Sequence, residues 1–158
     1  MATSTLIQYL GQSQVTGLGS TVPVGASASN RSQTETFIAG GTIAKGDFVS
    51  LDTSKSGASK ALFVVTVDTS GGAVALGVPT VGVALAAASA GQEVDVCIAG
   101  YCAQANVVTG TAAGVALSVD TTASGRGVAA DAANVNICGI CLTLAASNQA
   151  EVMVIKQF

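Results

Sequence analysis

The chain contains no histidine and no tryptophan, only two prolines, and few aromatic residues of any kind (4%). Without histidine it lacks the side chain that most often serves as a general base. The Ser-His-Asp and Cys-His arrangements and the usual nitrogen ligand of zinc go with it. Charge is scarce as well: Asp, Glu, Lys and Arg make up 9% of the residues, against about 25% in ordinary soluble domains. The six basic residues, Arg31, Lys45, Lys55, Lys60, Arg126 and Lys156, are dispersed, and the net charge is −3. Binding nucleic acid takes a basic stripe that displaces counterions, and docking on an anionic membrane takes a polybasic segment, so neither is an expected partner.

The carboxylates offer no better start for chemistry. Asp47 and Asp52 flank one candidate strand and, if it is regular, point to opposite faces. Glu93 and Asp95 share a strand face that reads as solvated. Nothing nominates two of them as the acid and base of a glycosidase. Gly17-Leu18-Gly19 lacks the third glycine and the preceding strand of a phosphate-binding loop, and Pro23 stands where its helix should run. Asn30-Arg31-Ser32 fits a glycosylation sequon, but Met1 to Thr5 has no basic flank or apolar core of a secretory leader. The expectation is a non-enzymatic protein with no cofactor, no catalytic residue and no metal site.

Cys97, Cys102, Cys138 and Cys141 are the four cysteines. Cys138-Gly139-Ile140-Cys141 has the spacing of half a zinc site, but the Cys97–Cys102 gap is too loose for the second half. Both pairs sit in apolar, strand-like text. The expectation is free, buried thiols, with a disulfide or a metal as the alternatives.

Alanine, valine, glycine, serine and threonine fill the space left by charge and aromatics. Small and β-branched side chains suit tightly stacked strands rather than long amphipathic helices. Strands are expected at 34–39, 47–52, 61–67, 80–86, 93–99, 102–108, 115–119, 137–144 and 150–156. Gly40-Gly41, Ser56-Gly57, Ser70-Gly71-Gly72, Ala90-Gly91, Ser124-Gly125 and Ser147-Asn148 mark turns between them. The apolar run from Ala73 to Ala90 is broken by Gly77, Pro79 and Gly82 and reads as strand, turn, strand rather than a membrane span. The fold class expected is all-β, a small β-barrel or β-sandwich.

Two organisational features stand out. Residues 1–33 are rich in Ser, Thr, Gln and Gly and hold no lasting period. They carry spaced apolar residues, Leu6, Ile7, Leu10, Val15, Leu18 and Val22, and read as an extended arm that binds a partner through them. Within the β domain, residues 34–158, there is an internal repeat of about 37–101 on 107–158. Phe48 to Ser54 matches Ala116 to Thr122, Val81 to Leu85 matches Cys138 to Leu142, and Glu93 to Val96 matches Glu151 to Val154. The first copy is longer, which predicts a larger loop around 55–72.

The run from Phe37 through Gly40-Gly41 and Gly46-Asp47 to Asp52, then Val81-Gly82-Val83-Ala84-Leu85, Ala90-Gly91-Gln92-Glu93-Val94-Asp95-Val96 and Ala99-Gly100, resembles the capsid decoration (cement) proteins of tailed bacteriophages. The resemblance covers about 37–101 and, more faintly, the second half. It implies a β-barrel or β-sandwich, often trimeric, made in the host cytoplasm. Such a protein sits on the outer surface of the virion capsid, contacts the major capsid protein and has no catalytic residues. The low charge agrees with surface buried in a homo-oligomer, a trimer or otherwise a dimer. Another virion subunit, such as a tail-tube or fibre-base protein, is the alternative. A carbohydrate-binding module is third, with only two tyrosines to stack on sugars.

Overall fold

The computed structural model describes residues 32–67, 80–120, 124–131 and 136–157. These form nine strands: β1 Ser32–Ala39, β2 Phe48–Leu51, β3 Phe63–Thr66, β4 Thr80–Ala84, β5 Glu93–Asn106, β6 Ala116–Val119, β7 Gly127–Ala129, β8 Gly139–Cys141 and β9 Gln149–Val154. A 3-10 helix at Gly57–Ala61 lies between β2 and β3. Ser32 and Gln33, assigned to the arm in sequence, instead begin β1 and pair with Gly100 and Ala99. Residues 1–31, including all six arm anchors, lie outside the described residues, as do Ser70-Gly71-Gly72 and residues 73–79 of the Ala73–Ala90 run. No helix among the described residues is long and apolar enough to cross a membrane.

The fold is a closed five-stranded β-barrel with further strands added. β1 runs parallel to β3, β3 antiparallel to β2, β2 to β4, β4 to β5, and β5 returns antiparallel to β1. No edge remains in that ring, which removes the usual liability of an unpaired strand. Its interior is filled by Phe37, Ala39, Ile43, Val49, Val64, Val94, Val96 and Ile98. Period-2 alternation places these residues: in β5, Glu93 and Asp95 are exposed while Val94 and Val96 are buried.

The remaining strands repeat this connectivity. The C-terminal half of β5 pairs antiparallel with β9, β9 with β8, β8 with β6 and β6 with β7. A parallel bridge between Val107 and Gly127 closes this second ring, in the place of the parallel β1–β3 pairing. Local details repeat too. Gly46 and Gly114 both take positive φ (89° and 83°), and each N–H donates to the carbonyl of a corresponding residue, Ala84 and Cys141. The Asp52 N–H donates to Phe63 O as the Asp120 N–H donates to Arg126 O. The 3-10 helix makes the first connection longer. On the last matching pair the structure corrects the sequence reading. Ala84 faces Val96 and Cys141 faces Val152, so Asp95–Ile98, not Glu93–Val96, corresponds to Glu151–Val154.

The long strand β5 therefore serves both rings. The sequence pattern places two strands here, 93–99 and 102–108. In the structure Gly100 (φ 89°) and a register shift bend the strand there without ending it. The second core holds Leu117, Val107, Ala105, Val152, Val154, Cys102, Cys138 and Cys141. It also takes in Phe48, Val83 and Cys97 from the outer wall of the first barrel. That wall is thus buried on both faces, which is why all five residues of β4, Thr80-Val81-Gly82-Val83-Ala84, are buried. Close approach requires Gly82: a Cβ there would lie 2.1 Å from the Cys97 carbonyl oxygen.

Candidate functional surface

Three buried carboxylates hold turns together. Asp47, at the entry to β2, accepts from the Ala44 N–H (2.8 Å), the Asn106 amide (2.7 Å) and, weakly, the Thr66 hydroxyl (3.4 Å). Burial pushes its carboxyl above the ordinary value of 3.8, with the Ala44, Asn106 and Thr66 hydrogen bonds opposing that rise. Asp52, at the far end of β2, accepts from the Ser54 N–H and hydroxyl and meets Lys55 at 3.7 Å. Lys55 in turn lies 4.9 Å over the Phe63 ring. Asp120, the counterpart of Asp52, binds the Arg126 guanidinium at 2.7–2.8 Å. These are structural roles for polar groups that would otherwise be costly to bury.

All four cysteines are free and buried. Burial pushes the Cys138 thiol up to about 12, and Cys141 is raised for the same reason. No group of three or more His, Cys, Asp or Glu side chains among the described residues could hold a metal ion. The Cys97–Cys102 gap, read in sequence as loose, is closed by the bend at Gly100, which sets the Cys97 sulfur 3.7 Å from the carbonyl oxygen of Tyr101, the residue before Cys102. Cys102 lines an open groove of about 500 Å³ together with Lys45, Leu85, Gln104, Thr143 and Glu151.

The most distinctive surface is the outside of the second ring. Tyr101 pairs with Met153, Met153 with Ile140, and Ile140 with Ala116. Directly paired residues point to the same side of a sheet, so these four form one row across β5, β9, β8 and β6. Ile140 is exposed and the other three half-exposed. Ile137, Leu142, Leu144 and Ile155, in or beside the same strands, are exposed too, Leu144 by 65%. None of them is among the partner-binding residues expected from the sequence. The signal was present: Ile137-Cys138-Gly139-Ile140-Cys141-Leu142-Thr143-Leu144 is apolar at odd and even positions alike. A strand with one solvated face does not need that.

No protein-family model and no curated protein matches the chain. Its fold is similar to a solved structure, the head fibre gp8.5 N base in bacteriophage phi29. The TM-score is 0.53 at 13% identity, over 78% of this chain and 94% of that one. At that identity the likeness is one of fold.

Proposed function

We propose that this protein is a structural subunit of a bacteriophage virion that binds the outside of the capsid lattice and stabilises it. The observation that carries the reading is the fold likeness to a head-fibre base, which takes in nearly all of that base and most of this chain. The chain's own chemistry agrees: Asp47, Asp52 and Asp120 are committed to turns, while an apolar sheet face exposed on the second ring suits assembly. The same likeness favours a second reading, a fibre-base subunit on the head, over a tail-tube protein.

In either role the partners are the major capsid protein and further copies of the chain, a trimer or otherwise a dimer, on the outer surface of the virion. Binding only the assembled shell stabilises it by mass action, and repetition over the lattice multiplies modest contacts. Residues 1–31 supply the attachment segment, with Leu6, Ile7, Leu10, Val15, Leu18 and Val22 as anchors. The test adds purified protein to heads that lack outer proteins. Saturable binding with increased resistance of the heads to heat supports decoration. Binding that leaves the heads no more resistant but recruits a fibre supports the fibre base, and no binding overturns both. In the same assay a chain starting at Ser32 is expected to fold and to bind much more weakly.

A further inference from the structure

Two cysteines five positions apart on a straight strand would be about 16 Å from each other, at roughly 3.3 Å per residue. In β5 the strand bends between them. The register shift beside Ala99 and the positive φ of Gly100 fold the backbone around the Cys97 side chain, whose sulfur lies 3.6 Å from Ala99 O and 3.7 Å from Tyr101 O. A second irregularity follows between Cys102 and Ala105 in the pairing with β9, and the Cys102 sulfur lies 3.4 Å from Gln104 O. Both side chains are buried in one core cluster, where the strand passes from one ring to the other. One of them, Cys102, lies at the wall of the groove beside Lys45.

We propose that Cys97 and Cys102 are an oxidisable dithiol, which a low-molecular-weight disulfide entering the groove converts to an intramolecular disulfide. Cys102 is the attacking group. The Cys97 side chain and the Lys45 ammonium favour its thiolate against the opposing effect of burial, whereas the Cys97 thiol is raised. The Cys102 sulfur attacks one sulfur of the small disulfide, forming a mixed disulfide and releasing one small thiol. Cys97 then loses its proton to water, and its sulfur attacks the Cys102 sulfur and expels the second small thiol. Two protein thiols are oxidised and one small disulfide is reduced to two thiols. The product ties β5 across its own bend and fixes the angle at which the strand enters the second ring. Cys138 and Cys141 are built-in controls: each sulfur lies near a backbone carbonyl, Leu117 O and Thr143 O, and neither is raised or lowered by a second thiol.

The experiment incubates the reduced full-length chain with oxidised glutathione at neutral pH, then denatures it in an alkylating reagent and maps the products by peptide mass spectrometry. The expected product has Cys97 and Cys102 joined and unalkylated, Cys138 and Cys141 alkylated, and a melting temperature that rises and then falls back on adding dithiothreitol. Cys97→Ser is expected to stop at the mixed disulfide on Cys102, and Cys102→Ser to leave Cys97 unmodified. In the wild type, four alkylated cysteines, a persistent mixed disulfide, or a Cys138–Cys141 bridge would each overturn the proposal.

Discussion

At the scale of single residues, corresponding glycines in the two rings make a controlled pair. A Cβ at Gly82 would lie 2.1 Å from a backbone oxygen. The one at Gly139, its counterpart in β8, would approach Met153 O and a Val152 methyl at 2.9 Å. Gly82→Ala therefore forces a backbone shift in a wall covered on both sides, at a cost of about 1–3 kcal/mol or more. Gly139→Ala, nearer the open face, costs less. Denaturant melts of the two variants check the order. Asp47 gives a second prediction. Its folded carboxyl holds its proton more tightly than the unfolded chain does, so its contribution to stability falls as pH rises from about 3.8 through the raised folded value. The stability of the wild type relative to Asp47→Asn should decline over that window and level off above it. A flat difference from pH 3 to pH 8 would mean the hydrogen bonds cancel the burial. Little of this could be read in sequence. Asp47 was visible only as a strand flank, because Asn106 and Thr66 come to it from distant strands.

Elements were legible where water marks one face. Glu93-Val94-Asp95-Val96 reads directly, since its acids are solvated and its valines fill the barrel. The same periodicity misled the repeat alignment: sliding a strand by two residues preserves which side chains point inward, so pattern alone cannot distinguish Glu93 from Asp95 as the partner of Glu151. β7 was missed because Gly127-Val128-Ala129 is too short to show a period. Its glycine is dictated by Phe48, whose ring lies 2.9 Å from where a Cβ would sit. β8 was found as a strand, but its outer face could not be recognised as a surface, because two-sided apolar text also describes the fully buried β4. The two are told apart by one substitution in each. Ile140→Lys should leave the melting temperature within a few degrees of wild type and reduce self-association, measured by light scattering. Val83→Lys, in the doubly covered wall, should prevent folding.

At the scale of the molecule, the first barrel lends Phe48, Val83 and Cys97 to the second core. Phe48→Ala removes a fully buried ring from that junction and should cost about 3–5 kcal/mol. It should lower a single transition in calorimetry rather than split it in two, since the rings hold β5 in common. Two separate transitions would show that the rings melt independently. Joint ownership of one strand also bears on how such a protein can be altered. Halves joined by a linker can be cut apart, exchanged between relatives or replaced by a foreign module. Here any boundary drawn within 93–106 takes a wall from one ring or the other, so the smallest piece that can be transplanted whole is both rings with their common strand.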